Sequence, residues 1–176
     1  MPTADHRPPA ATPPRPDWFS AGRTGLTLGP IEPGDLITEY GSPLHVVDMQ
    51  ALDRNADAAL APFRDGRGGA DVYSSYKTNP IPGVLRRLHD AGVGAEVISE
   101  YEFWLALELG VPPERIIYNG PAKSFESLRR AAELGIALVN ANSLGDLEQI
   151  IAAAEGRAPI RTGLRISLPQ MWGGQF

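Results

Sequence analysis

Cysteine is absent from this 176-residue chain, which excludes a disulfide framework, a thiolate metal site and a cysteine nucleophile. Lysine is almost absent: of 16 basic residues only two, Lys77 and Lys123, are lysines. Histidine occurs three times, at His6, His45 and His89, never in pairs at metal-ligand spacing, so no metal is expected. No apolar run approaches the roughly 20 residues needed to span a bilayer. The start, Met1-Pro2-Thr3-Ala4-Asp5, lacks the basic and apolar regions of a secretory signal. A net charge of −5 argues against nucleic acid or an anionic membrane as the main partner. The expectation is a cytoplasmic protein that binds neither. What is present is an ordinary globular composition, 43% hydrophobic and 21% charged, which excludes a wholly disordered chain.

Eight of the 17 prolines fall in the first 33 residues, among few large apolar side chains. Such a stretch buries too little to offset its ordering entropy. Residues 1–33 are therefore expected to be largely disordered, residues 1–16 above all, with Trp18-Phe19 and Gly25–Leu28 available to dock or to form a short edge strand. The ordered domain is expected over 34–176.

From there a unit repeats. β-rich apolar runs begin near Leu44, Asp71, Val93, Arg115, Ile136 and Ile160, at intervals of 27, 22, 22, 21 and 24 residues. Each interval holds a helical pattern: Leu52, Ala56, Ala59 and Phe63; Ile81, Val84, Leu85 and Leu88; Leu147, Ile150, Ile151 and Ala154. Ser99-x-x-Glu102 and Ser143-x-x-Asp146 read as capping boxes or close variants, and Gly92, Gly110 and Gly135 sit where helices should end. Strands alternating with short helices predict an α/β fold with a parallel sheet. The period suits a (β/α)8 barrel at least as well as a doubly wound sheet. Six strands fall short of eight, so the chain reads as a partial barrel of about six βα units.

In such a barrel, reactive groups lie at the C-terminal ends of strands. Lys77 is expected at the end of the second strand, where a partly desolvated amine is a nucleophile toward aldehydes. The alternative is a solvated loop lysine. In a chain that otherwise uses arginine for its positive charges, a lysine at a strand end favours chemistry that arginine cannot perform.

Six segments together resemble a known family: Tyr40–Leu44 (YGSPL), Val46–Asp48 (VVD), Tyr76–Asn79 (YKTN), Gly94–Ser99 (GAEVIS), Asn119–Ser124 (NGPAKS) and Leu164–Ile166 (LRI). In this order and spacing they are similar to the N-terminal barrel of the fold-type III pyridoxal-phosphate decarboxylases. That group includes the diaminopimelate, ornithine and arginine decarboxylases, and the diaminopimelate type is the most alike. Ser75 and Thr78 replace small alanines of that type's lysine motif, and Ile98–Glu102 departs from its usual Ser-Gly-Gly-Glu.

The resemblance implies a carboxy-lyase that uses pyridoxal 5′-phosphate on a small amino acid, in lysine biosynthesis if the substrate is diaminopimelate. Another or a carrier-tethered amino acid is the alternative substrate, and a non-catalytic module the alternative role. It implies that Lys77 holds the cofactor covalently and that Glu96 and Arg165 face it. Without the family, Glu96 reads as a half-buried glutamate at a strand end and Arg165 as one half of a salt bridge inside the barrel. Ser99 and Glu102 are explained by capping alone. Lys123 reads as a solvated loop lysine, and His45 and His89 as structural or exposed. The later histidine-glycine-serine motif, glycine-rich phosphate loop and C-terminal β-domain of the family are not found. The chain is therefore expected to be an N-terminal part of a longer, homodimeric parent, with Gly173–Phe176 leading toward the missing half.

Overall fold

The computed structural model describes residues 19–22, 25–64 and 70–166. The chain separates into two compact units that divide between Ala51 and Leu52, later than the boundary expected near residue 34.

In the first unit, β1 (Phe19–Gly22) and β2 (Gly25–Leu28) form an antiparallel pair with Phe19 opposite Leu28 and Gly22 opposite Gly25. Leu28 and Ile31 then exchange two backbone hydrogen bonds at 2.9 and 3.1 Å. Both strands fall where the sequence offered a short edge strand, at Phe19 and Gly25–Leu28, and pairing between near neighbours closes a very short loop at little entropic cost. The disorder expected for residues 1–16 falls outside the described residues. Helix α1 (Pro33–Tyr40) follows, with proline in its first turn. The first expected strand, from Leu44, does not form. Residues 44–48 take no regular structure and join no ladder among the described residues, and without a partner's hydrogen bonds an apolar run is not a strand. Asp48 instead caps α2 (Met49–Arg64), accepting from the backbone N–H of Gln50 and Ala51 at 2.9 and 3.0 Å.

The second unit carries the other five expected strands. They are β3 (Tyr73–Ser75), β4 (Gly94–Val97), β5 (Ile116–Tyr118), β6 (Leu138–Ala141) and β7 (Thr162–Leu164). Between them run α3 (Pro82–Asp90), α4 (Glu100–Glu108), α5 (Phe125–Leu134) and α6 (Leu144–Ala154). All neighbouring strands pair in parallel, and the sheet order is the chain order. A doubly wound sheet reverses its order partway across. An unreversed succession of βα units is the wall of a (β/α) barrel.

Side chains alternate across each strand. On one side Ala95, Val97, Ile116, Tyr118, Val139 and Ala141 are all buried, packed with Leu85, Phe103, Ala106, Leu128, Ile150 and Ala153 from the helices. Phe103 stacks on Tyr118 with ring centroids 5.3 Å apart. The helical faces read from sequence are slightly misphased. In α2 it is Ala56 and Leu60 that are buried while Phe63 is exposed, and in α6 Ile150 and Ala153 while Ile151 is exposed. Both predicted caps form as variants of the box: Ser99 Oγ accepts from Glu102 N at 3.2 Å and Ser143 Oγ from Asp146 N at 3.1 Å, while the Glu102 and Asp146 carboxylates accept from Ile98 N and Asn142 N, one residue before each cap. The opposite side of the sheet carries Ser75, Glu96, Ile117, Leu138, Asn140 and Gly163, which are only half-buried. That side positions the site.

Candidate functional site

Where these strands run out, a cavity of about 370 Å³ opens, lined by Lys77, Glu96, Ile98, Asn119, Gly120, Pro121, Asn140, Leu164 and Arg165. It contains the three residues that the sequence singled out: Glu96 on β4, and Lys77 and Arg165 just past the ends of β3 and β7. Ser75 pairs with Glu96, Glu96 with Ile117, Asn140 with Gly163. Residues two further along each strand therefore reach the same end.

Lys77 does not lie on the strand. It is the middle residue of a single 3-10 turn, Tyr76–Thr78, that follows β3 at once, and it is exposed rather than partly desolvated. The turn is anchored from below. Tyr76 is fully buried, and its hydroxyl lies 2.7 Å from His89 Nε2, while His89 Nδ1 lies 2.8 Å from the Val93 carbonyl. A carbonyl only accepts, so Nδ1 carries the proton and Nε2 accepts from Tyr76. Burial pushes the Tyr76 hydroxyl well up and the His89 imidazole below its ordinary value. His89 is thus structural, as expected. Thr78 Oγ1 closes the turn by donating to the Ser75 carbonyl at 2.7 Å.

Glu96 accepts at Oε1 from Asn119 Nδ2 at 2.5 Å, and Asn119 Oδ1 in turn accepts from Asn140 Nδ2. Neither asparagine was singled out from sequence. A signal was present: Asn119, Asn140 and Gly163 recur at intervals of 21 and 23 residues, one station in three successive units, and Glu96 stands two residues before that station on β4. Arg165 is exposed, held by its backbone N–H to the Ala141 carbonyl at 2.9 Å. No ion pair forms at Arg165 among the described residues, so the salt bridge inside the barrel is not its role here.

Lys123 corrects the expectation of a solvated lysine. It is buried, and Nζ donates to Asp146 Oδ2 at 2.9 Å and to the Gly120 carbonyl at 2.5 Å. Asn142 adds to the cluster: its backbone N–H and side-chain amide donate to the same carboxylate oxygen at 3.0 and 3.2 Å, and the amide also reaches the Gly120 carbonyl at 2.6 Å. Burial acts to raise Asp146. The hydrogen bonds from Asn142 and Lys123 outweigh it and hold the carboxyl below its usual value. The cluster fixes the rim formed by Gly120 and Pro121. Gly120 is required there, because its φ is +92° and a Cβ would strike the Ile98 carbonyl.

Two cations without an ion-pair partner among the described residues, Lys77 and Arg165, and one carboxylate in a cavity suit an anionic ligand that also carries a positive or donor group. A primary amine in that set adds the capacity to capture an aldehyde. Ser75 Oγ, two residues before Lys77 and on the same face as Glu96, is buried without a hydrogen-bond partner. A free hydroxyl of this kind marks a place for an external acceptor or donor.

Fold and cavity define a pyridoxal-binding barrel, and comparison with known proteins specifies it. Residues 54–171 match the family model described as "pyridoxal-dependent decarboxylase, pyridoxal binding domain", and the chain belongs to that family. It is 31% identical over 137 residues to the diaminopimelate decarboxylase of Zymomonas mobilis, covering 77% of this chain and 32% of that enzyme. A crystal structure from Aquifex aeolicus superposes with a TM-score of 0.76 at 26% identity, over 84% of this chain and 36% of that one. Diaminopimelate decarboxylase of Helicobacter pylori, solved in complex with L-lysine, gives a TM-score of 0.68 at 25% identity, covering 77% and 34%. The chain spans about a third of the length of the curated relatives it matches. The amine of Lys77, the carboxylate of Glu96 and the guanidinium of Arg165 around one cavity fit the family's cofactor, pyridoxal phosphate. Among the described residues no helix is long and apolar enough to cross a membrane.

Proposed function

We propose that this chain supplies the cofactor-holding half of the active site of a pyridoxal-phosphate-dependent decarboxylase of a small amino acid, diaminopimelate foremost. The observation that carries this reading is the convergence of Lys77, Glu96 and Arg165 on one cavity, from β4 and from the segments that follow β3 and β7, in a domain that belongs to the pyridoxal-binding family. The domain meant is the barrel expected over 34–176.

Pyridoxal phosphate, when bound, supplies an aldehyde and an electron-withdrawing ring that accepts the electrons of the breaking bond to the carboxylate. The residues of the chain serve that chemistry by placement. Lys77 presents its Nζ from a turn locked by Tyr76 and His89, so that one free amine faces the cavity while the backbone beneath it is rigid. With the reacting carbon beside it, Nζ is also the group that accepts and returns a proton. Arg165 holds a fixed positive charge with forked donors for an anionic oxygen of cofactor or substrate. Glu96 offers a carboxylate oxygen to a donor group. Ile98 and Leu164 give the cavity apolar wall that excludes water.

The test is chemical labelling. Incubation with pyridoxal phosphate followed by borohydride is expected to modify Lys77, identified by peptide mass, and Lys77→Ala is expected to remove the label. In an intact parent enzyme the same substitution is expected to abolish carbon dioxide release. Modification at Lys123 in place of Lys77 would overturn the reading.

A further inference from the structure

We propose that Asn119 and Asn140 are positioning residues that clamp Glu96 through a one-way hydrogen-bond relay running across the ends of β6, β5 and β4, an inference that rests on the cofactor reading of this cavity. The direction of the relay follows from chemistry alone. Glu96 as a carboxylate only accepts, so Asn119 must turn its Nδ2 toward it, at 2.5 Å. Asn119 Oδ1 then points the other way and needs a donor, which only Nδ2 of Asn140 supplies. Both amide orientations are thereby fixed by one carboxylate two strands away. Asn140 is left with Oδ1 over the backbone of its register partner Gly163, where a Cβ would collide with that oxygen. Glycine at 163 is the space that the last amide of the relay occupies.

All three relay members line the cavity, so the relay acts on the ligand site. It engages Oε1 of Glu96 and leaves Oε2 without a partner among the described residues. A bound ligand therefore meets one oriented acceptor oxygen in a cavity that Lys77 and Arg165 also line. A floppy glutamate would instead be free to fold back onto either cation and cancel it. The reach of a glutamate, one methylene longer than aspartate, is what makes such a restraint useful.

A relay with direction predicts a reversal. Asn140→Asp removes the donor that Asn119 needs, setting two acceptors face to face. In the Glu96→Gln background the same change is harmless. The new amide at 96 donates to Asn119 Oδ1, and Asn119 Nδ2 donates to the new carboxylate at 140. The experiment is a double-mutant cycle on the 176-residue chain. It is read by the pyridoxal phosphate concentration that half-saturates borohydride labelling of Lys77, and in parallel by the ligand-free thermal midpoint. Asn140→Asp is expected to raise the half-saturating concentration about tenfold with Glu96 present and less than twofold with Glu96→Gln. The thermal midpoint is expected to fall by about 2–4 °C in the first background only. Equal losses in both backgrounds, on both readouts, would overturn the relay. A midpoint that couples while labelling does not would reduce the relay to a purely structural contact and overturn its positioning role. Absence of Lys77 labelling in the unsubstituted chain would instead overturn the cofactor reading, and the midpoint cycle alone would then decide whether the directed relay exists.

Discussion

After β3 the chain turns at once into a single 3-10 turn that lifts Lys77 into the open. After β5 it runs through Asn119-Gly120-Pro121-Ala122 and draws Lys123 inward onto Asp146. The two loops are equivalent βα connections in one sheet, and each carries one of the chain's two lysines. The difference lies in what stands behind each residue. Behind Lys77 is a phenol already satisfied by His89, so the amine has nothing to fall back on. Behind Lys123 are a carboxylate and a carbonyl at hydrogen-bond distance. A lysine is kept reactive by denying it partners and made structural by supplying them.

Removing the buried partner is the most severe way to break this comparison. Lys123→Met leaves Asp146 buried and uncompensated, and is expected to cost about 3–5 kcal/mol in urea denaturation, whereas Lys123→Met with Asp146→Leu is expected to recover much of it. Next comes the rim that the pair holds. Gly120→Ala is expected to lose about 1–3 kcal/mol from its left-handed backbone alone, with further loss from the collision with the Ile98 carbonyl, and to weaken pyridoxal phosphate labelling of Lys77.

The pH dependence separates the two loops. Burial lowers the His89 imidazole beneath Lys77, so the unfolded chain takes up protons first as pH falls below about 6.5. Stability is full above that value and declines as pH drops through the lowered folded value. Asp146, also lowered, contributes stability that is full above about 3.8 and is lost as pH falls further. Denaturation midpoints against pH should show both declines, and His89→Gln, which can still accept from Tyr76, should flatten only the upper one. The smallest effect is expected at the exposed lysine. Lys77→Met should change stability by less than about 0.5 kcal/mol while removing the label entirely, and a loss as large as that of Lys123→Met would erase the contrast.

The sheet was legible because its units repeat. Runs beginning near residues 71, 93, 115, 136 and 160 became strands at Tyr73, Gly94, Ile116, Leu138 and Thr162. The run at Leu44 has the same composition and is no strand, since pairing is a property of neighbours and not of the segment itself. Lys77, Glu96 and Arg165 could be named from motifs, and they share a cavity. The fate of Lys123 could not, because Asp146 lies 23 residues away and the carboxylate oxygen that receives it already serves the start of a helix. The asparagines went unnoticed for a similar reason: an asparagine at a strand end carries no charge to attract notice, and only the shared register makes Asn119 and Asn140 touch.

The unreversed strand order has a consequence for how the molecule is made. Each strand pairs with the one synthesised just before it, so no strand must wait for a distant segment to leave the ribosome. The sheet can extend one βα unit at a time along a finished edge, with closures of about 22 residues at every step, as stacked repeats grow. In that sequence β3, bearing the turn of Lys77, comes first and Arg165 arrives last. The cavity lined by these units receives Arg165 only when β7 docks, and translation itself sets the order in which its charges are assembled.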